Sequence, residues 1–158
     1  MGHEMVIYGA ILAPGRRHIA RGVASNHTLE LNRQALARLP IDDDYPFFTR
    51  EMFSFPEPLR VENSFESLVV HFGLSLKSAG PIVESEDWLA WRSKFEHLLR
   101  QMYWIEAVMH LKCELYGDYS CYWTPDKFAF DAPVSNWSYR MFQHGMPTRL
   151  SLEAFDDA

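Results

Sequence analysis

The sequence predicts an α+β protein, with a mostly antiparallel sheet of about four to six strands and two main helices on one face. Between residues 88 and 102, apolar side chains recur at steps of three and four, the period of one helix face. From residue 105 to 115 the period becomes two, which is typical of a strand with one buried side. A turn at Gly117-Asp118 then predicts a hairpin partner in residues 119–124.

The N-terminal part predicts a strand followed by a helix. Residues 5–13 are apolar throughout and rich in strand formers, so we expect a central strand that is buried on both sides or nearly so. Ser25 or Asn26 can cap a helix that runs to about Leu39, where Pro40 ends it. The inward side chains of this helix should be Leu29, Ala35, Leu36 and Leu39.

The middle of the chain predicts one weak strand and one strong strand. Prolines interrupt the aromatic residues here, so only a short edge strand within residues 47–55 is expected. Residues 67–77 alternate apolar and polar side chains and predict a second half-buried strand, with a turn at residues 79–81. Ser85 should cap the second helix, and Glu86 and Asp87 in its first turn complement the helix dipole.

The C-terminal part predicts short elements. Two prolines bracket a short piece at residues 128–130, and residues 136–144 predict a last short helix, because Gly145 and Pro147 resemble a helix-end signal. Residues 150–155 would add an edge strand or a docked tail, and residues 156–158 should fray. The resulting order is the βαββαβ order of ferredoxin-like domains, extended by a hairpin strand and a short helix.

Composition limits the class of protein. The chain has 158 residues, which suits a single domain covering residues 1–158. Its net charge is -6 and it has no lysine- or arginine-rich run, which disfavours binding to nucleic acid. No apolar run approaches the ~20 residues of a membrane helix, and the N-terminus lacks the basic region of a secretory signal. We therefore expect a cytoplasmic protein that does not bind membranes.

Two cysteines flank the predicted hairpin turn. A two-residue turn would pair Cys113 with Tyr122 and direct the two sulfurs to opposite faces of the sheet. A three-residue turn would instead place Cys113 opposite Cys121. Because Cys113 lies on the apolar register of its strand, a buried reduced thiol is expected.

A polar set lies on the other register of the two confident strands: His71, Glu106, His110 and Lys112. In the usual strand order both strands flank the first one, so His71 could approach Glu106 and His110 across it. Glu106 and His110 are four residues apart, about 13 Å along a strand, which is too far for one metal ion without a third element. No metal site and no cofactor is expected, and a polar surface that faces a partner is favoured over catalysis.

Two further features predict contact with a protein partner. Asp42, Asp43 and Asp44 form either a solvated turn or an acidic projection toward a basic surface. Aromatic residues cluster around the hairpin, where they would stabilise the strand pair or anchor an interface. The hairpin residues considered as partner contacts are Tyr116, Tyr119 and Trp123.

We therefore hypothesise a small acidic domain that binds a protein with a basic surface, one form of which is an immunity- or antitoxin-like inhibitor. The sequence carries no nucleophile motif and no phosphate-binding glycine loop, so an enzyme is not favoured. One alternative is a small-molecule enzyme or ligand-binding domain that uses a cleft over the sheet, lined by His71, Glu106 and His110. A second alternative is a homodimeric structural module.

Overall fold

Six antiparallel strands form one sheet in the computed structural model, which describes residues 3–22, 24–54, 67–78, 85–127 and 132–145. The strands are β1 (His3–Pro14), β2 (Phe53–Ser54), β3 (Ser67–Ser78), β4 (Glu106–Cys113), β5 (Gly117–Pro125) and β6 (Trp137–His144). Three helices accompany them, together with a 3-10 turn at Arg50–Met52: α1 (Arg16–Ala20), α2 (Asn26–Ala37) and α3 (Glu86–Leu99). The predicted α+β class with an antiparallel sheet is confirmed.

The sheet has the order β2-β3-β1-β4-β5-β6, so the N-terminal strand β1 lies at its centre, as predicted. Met5, Ile7 and Ile11 are fully buried on one face of β1. On the opposite face, which we call the open face, Tyr8 is 42% exposed. Among the described residues the apolar core packs against one face of β1, so the expectation that β1 is buried on both sides or nearly so fails at Tyr8.

Both long helices begin at the predicted caps. The backbone N–H of Thr28 donates to the Ser25 hydroxyl at 3.3 Å, and that of Trp88 donates to the Ser85 hydroxyl at the same distance. Each serine thereby satisfies one of the N–H groups that the first turn of a helix leaves without a partner. Glu86 is in the first turn of α3, as expected.

The core is built largely from aromatic rings of α3 and the sheet. The ring of Trp91 stacks on Phe95 with centroids 5.7 Å apart, and Phe95 meets Trp123 of β5 edge to face at 4.9 Å. Such pairs contribute about 0.5–1.5 kcal/mol beyond the area they bury. The indole N–H of Trp104 donates to the carbonyl of Leu99 at 2.9 Å, so this buried ring leaves no unmet donor.

One buried amide joins α2 to the segment between α3 and β4. The Asn32 side chain donates from Nδ2 to the carbonyl of Tyr103 at 2.8 Å and accepts from the Tyr103 N–H at 2.7 Å. Asn32 is fully buried, whereas Leu29, which was predicted to face inward, is only half-buried. The helix therefore uses a polar residue to satisfy a buried peptide group that lies outside any strand.

The β4–β5 turn differs from the prediction. It consists of residues 114–116, because Cys113 pairs directly with Gly117. Gly117 has a φ of 90°, which glycine adopts without strain, and it ends the turn rather than forming its centre. Cys121 consequently pairs with Met109, about four residues and 13 Å along the sheet from Cys113. Both predicted cysteine pairings were wrong, and both thiols are free and buried.

The last described element is a strand and not the predicted short helix. β6 pairs with β5 from Pro125↔Trp137 to Asp118↔His144. Its half-buried side chains Trp137, Tyr139 and Met141 alternate with exposed ones, a period of two. The open edge of β5 offers unpaired backbone groups, and an aromatic-rich alternating segment satisfies them better than a helix would. Gly145, with a φ of 77°, follows the end of this strand.

The short edge strand predicted within residues 47–55 is confirmed as β2, which pairs with β3 at the rim of the sheet. The predictions for residues 79–81, 128–130, 150–155 and 156–158 lie outside the described residues. Across the described helices, length and hydrophobicity both fall short of what a membrane span requires.

Candidate functional site

Residues 40–49 form the loop that follows α2, which we call the acidic loop. A lysine of α3 stabilises this loop through hydrogen bonds. The ammonium group of Lys94 donates to the Asp43 carboxylate at 2.6 Å and to the carbonyls of Asp44 and Pro46 at 3.2 and 2.9 Å. The same carboxylate accepts the backbone N–H of Phe48 at 3.0 Å. The hydrogen bond from Lys94, outweighing partial burial, lowers the pKa of Asp43 below its usual 3.8.

Further contacts fix both ends and the centre of the acidic loop. The N–H of Arg50 donates to the carbonyl of Pro40, and the indole N–H of Trp91 donates to the carbonyl of Phe47, each at 3.0 Å. The Tyr45 hydroxyl donates to the carbonyl of Lys77. The ring of Phe48 is buried against Trp91, and their centroids are 5.4 Å apart. The loop is therefore ordered by the domain itself before any partner binds.

The acidic loop exposes large apolar side chains as well as carboxylates. Ile41 is 64% exposed, Tyr45 41% and Phe47 49%. The rings of Tyr45 and Phe47 meet edge to face at 5.6 Å, and Asp42 and Asp44, which precede them in the loop, are exposed as well. Large apolar side chains exposed together on an ordered loop are a recognised mark of interaction sites.

Electrostatics around the acidic loop are negative. Residues 40–49 contain three aspartates and no lysine or arginine, and Lys94 compensates only Asp43. Partial burial raises the pKa of Tyr45, and the charge and hydrogen bonding of nearby Asp87 raise it further. Next to the loop, a recess of about 410 Å³ opens against α3, with Phe48, Lys94 and His97 among its walls.

The open face of the sheet carries the polar residues predicted for it, but it separates them. His71, Glu106 and Lys112 are exposed and His110 is half-buried. His71 lies opposite Ala10 of β1, whereas His110 lies opposite Tyr8 and Glu106 opposite Leu12. The three side chains of the predicted cleft are therefore on different rows of the sheet. Among the described residues, no group of three or more His, Cys, Asp and Glu side chains could hold a metal ion.

His110 instead lies close to residues of the two strands that follow β4 in the sheet, β5 and β6. Its Nδ1 lies 2.9 Å from the Ser120 hydroxyl, which in turn lies 2.5 Å from Nε2 of His144. Ser120 is only 4% exposed, and a recess of about 610 Å³ opens over the group. Ser120 and His144 were not predicted as site residues, because a helix over residues 136–144 would not place His144 beside the strand that carries Ser120. The alternation of aromatic and polar residues there was the signal that could have found them.

The aromatic residues of the hairpin belong mainly to the core. Trp123 is fully buried and donates from its indole N–H to Glu96 at 2.9 Å, and Tyr119 is 6% exposed. Neither side chain can anchor a partner from these positions, so the predicted hairpin interface is corrected to cross-strand packing at both. Tyr116 is half-buried in the turn, where its carbonyl accepts a hydrogen bond from Gln143 at 3.0 Å.

A buried thiol lies beneath β6. The Tyr139 hydroxyl is 3.5 Å from the sulfur of Cys121, and the guanidinium of Arg92 lies 3.5 Å from the centre of the Tyr139 ring. Burial raises the pKa of Cys121 to about 11, which leaves it almost entirely protonated at neutral pH. Burial also raises the pKa of Tyr139. This thiol is structural in character and not a nucleophile.

Two surfaces of the described chain therefore carry candidate function: the acidic loop, and the recess over His110, Ser120 and His144. Comparison with known proteins adds no assignment to either, because no family model, no curated protein and no solved structure matches this chain.

Proposed function

We propose that this protein is a protein-binding module, and that the acidic loop at residues 40–49 holds a partner with a basic surface. The observation that carries the proposal is the exposure of Ile41, Tyr45 and Phe47 on the same short loop as the exposed carboxylates of Asp42 and Asp44. An immunity- or antitoxin-like inhibitor is the form of this function in which the partner is a basic enzyme or toxin.

The order of the acidic loop supports this function through the cost of binding. Association loses about 0.5–1.5 kcal/mol for each flexible side chain that it immobilises, and further free energy for each loop that it orders. Here Lys94 and the Asp43 carboxylate have already ordered the loop backbone. The side chains of Tyr45 and Phe47 are therefore exposed on a loop whose backbone is already fixed. Aromatic side chains that become buried when a partner binds are typical binding hot spots.

Charge supports a basic partner in particular. Asp42 and Asp44 point the same sign of charge outward beside the apolar side chains, and the whole chain carries a net charge of -6. Complementary charge raises the association rate and disfavours acidic partners. Asp43 is excluded from this role, because its carboxylate is engaged by Lys94 at 2.6 Å.

The finer fold and the setting are part of the same proposal. A ferredoxin-like arrangement with both helices on one face is supported by the position of β1 between β3 and β4. It is also supported by the shared cluster in which Leu36 of α2 and Trp91 of α3 are both buried with Ile7. A cytoplasmic setting is consistent with the free thiols of Cys113 and Cys121.

The test is affinity capture with matched variants, followed by binding measurements on the purified partner. The full chain is immobilised as wild type, as the loop variant Asp44→Asn/Phe47→Ala, and as the control Glu106→Gln/Tyr8→Ala. Each variant removes one exposed carboxylate and one exposed aromatic ring. The expected partner is a protein with a basic surface that wild type and control retain and the loop variant loses. Its Kd should rise at least about tenfold in the loop variant and should also rise with salt.

Other outcomes would contradict the proposal. A partner lost with the control and retained by the loop variant would move the function to the open face. Retention of the chain by itself, with light scattering that shows a dimer, would favour the homodimeric module. If the purified partner is an enzyme or a toxin, inhibition at a one-to-one ratio would support the inhibitor form.

A further inference from the structure

The recess on the open face lies over β4, β5 and β6, away from the acidic loop. The sheet register brings its lining residues together: His110, Ser120 and Phe142 share one row, and Tyr122 lies opposite Arg140 in the next. The recess has a volume of about 610 Å³ and is lined by His110, Ser120, Tyr122, Arg140, Phe142 and His144. It is large enough for a small organic molecule.

The floor of the recess is a hydrogen-bonded chain of two histidines and a buried serine. Nδ1 of His110 and Nε2 of His144 lie 2.9 and 2.5 Å from the Ser120 hydroxyl oxygen. Each imidazole thus has one ring nitrogen on Ser120 and a second ring nitrogen that does not contact this hydroxyl. The ring of Tyr8 packs against His110 with centroids 5.2 Å apart and supports it from the side.

The shared serine couples the protonation of the two rings. A hydroxyl donates only one hydrogen, so with both rings neutral Ser120 donates to one histidine and accepts from the other. The two remaining ring nitrogens are then one donor and one acceptor, and moving the proton on one ring reverses the other. With both rings protonated, the Ser120 oxygen accepts from both, and both remaining nitrogens become donors. His110 and His144 therefore respond to a ligand as one unit.

The other walls favour an anion that carries a flat ring. Arg140 is exposed, and its guanidinium offers the paired donors that match a carboxylate or a phosphate. Phe142 is 50% exposed and meets Tyr122 edge to face at 6.1 Å, which forms an aromatic wall beside those donors. In the adjacent row, Asp118 lies opposite Lys112 of β4 on one side and His144 of β6 on the other, so this row contributes one carboxylate and one ammonium group.

We propose that this recess binds a small organic anion, a phosphate or carboxylate attached to an aromatic or other planar group. Arg140 and His110 contact the anion, Phe142 and Tyr122 contact the ring, and His144 responds to the anion through Ser120. Ser120 is a positioning residue that sets which ring nitrogens donate. The proposal is independent of the acidic loop, which lies on another part of the molecule, so either can fail without the other.

The test follows the histidine ring nitrogens by NMR in the full-length ¹⁵N-labelled chain. Phenyl phosphate, benzoate and inorganic phosphate are titrated separately, with benzyl alcohol as the uncharged aromatic control. Phenyl phosphate or benzoate should shift the signals of His110 and His144 together and saturably, and the two probes show which anionic group is preferred. Inorganic phosphate should bind about three- to tenfold more weakly than phenyl phosphate, because it lacks the ring. Exposed His27 of α2 is the reference in the same spectrum and should not move.

Variants separate a built site from general charge attraction. Arg140→Gln should raise the Kd of the preferred anion at least about tenfold, whereas Arg38→Gln, which removes an exposed charge at the end of α2, should leave it unchanged. His144→Gln should shift the Nδ1 signal of His110 in the wild-type background and leave it unmoved in the Ser120→Ala background. Because both arginines are exposed, neither replacement should disturb the fold, and the amide spectrum of each variant checks this.

Three results would overturn the proposal. The first is that neither aromatic anion moves His110 or His144, or that His27 moves equally. The second is that Arg140→Gln binds as tightly as Arg38→Gln. The third is that His144→Gln affects His110 equally with and without Ser120, which would refute the coupled pair and leave two separate histidines.

Discussion

Replacing Gly9 by alanine should destabilise the protein more than its small size suggests. Gly9 lies on the central strand β1, opposite Met109 of β4. A Cβ atom there would lie 2.2 Å from the carbonyl oxygen of Val108, 2.7 Å from the tip of the Phe72 ring and 3.0 Å from the Cα of Met109. Two of these three neighbours are backbone atoms of a paired strand, which cannot rotate away.

The size of the effect follows from the distance that the strands would have to yield. A carbon normally approaches a carbonyl oxygen to about 3.3 Å, so β1 and β4 must separate by about 1 Å at Gly9. That separation lengthens the ladder bonds beside Gly9 beyond hydrogen-bond range, at about 0.5–1.5 kcal/mol each. The loss of two such bonds, together with overpacking of about 1–3 kcal/mol, should lower the free energy of unfolding by about 2–6 kcal/mol, a large part of a typical total of 5–15 kcal/mol.

The assay is urea unfolding followed by the fluorescence of the buried tryptophans, with Gly73→Ala as the matched control. Gly73 lies on the neighbouring strand β3, where a Cβ would meet nothing closer than 3.5 Å, so this change should cost nothing or stabilise slightly. A Phe72→Leu background removes the ring tip and should not rescue Gly9→Ala. A backbone clash at Gly9 is excluded if Gly9→Ala lowers the free energy of unfolding by less than about 1 kcal/mol, if it lowers it no more than Gly73→Ala, or if Phe72→Leu restores the stability.

Three further outcomes are expected. Asn32→Asp should lower the free energy of unfolding by about 2–5 kcal/mol, because a carboxylate oxygen would face the Tyr103 carbonyl that now accepts a hydrogen bond from Nδ2. Wild-type stability of either Asn32→Asp or Asn32→Gln in urea would contradict this. Because the pKa of Asp43 is lowered in the folded protein, the carboxylate adds stability that is present above its usual pKa of 3.8 and is lost as the pH falls below that value. In thermal melts between pH 5 and pH 2, the wild type should therefore lose its stability advantage over Asp43→Asn. A constant difference between the two would exclude a stabilising pair with Lys94. Burial raises the pKa of Cys121 to about 11, so about one thiol in a thousand is ionised at pH 8. Alkylation of Cys121, measured by mass spectrometry, should therefore be slow until denaturant unfolds the chain. Rapid labelling of the native protein would be inconsistent with a buried thiol.

Local pattern predicted most of the secondary structure, because periodicity records which side of an element is buried. The caps at Ser25 and Ser85, the central strand β1 and the strand β3 follow from residues near each other in the chain. The failures share a cause. The β4–β5 turn and β6 depend on pairing with a neighbouring strand, and a glycine near each of them resembled a different signal. Strand pairing is a non-local choice that a short window does not contain.

The candidate sites show the same division. From the sequence, Asp42, Asp43 and Asp44 cannot be distinguished. In the folded protein Asp43 pairs with Lys94, which is 51 positions away in the chain. The exposure of Ile41 and Phe47 beside them depends on which neighbouring ring, that of Phe48, enters the core. No composition rule distinguishes adjacent phenylalanines, because only packing space decides between them.

The class of the protein, its negative charge, the periods of β3, β4 and α3 and the polar character of the open face follow from the sequence alone. Those properties depend on residue type and on spacing of a few positions. The tertiary structure alone decided that His71 and Glu106 stay apart from His110, and that Ser120 and His144 join it instead. Strand order and register bring distant residues together, and both are set by the packing of the whole sheet against one core.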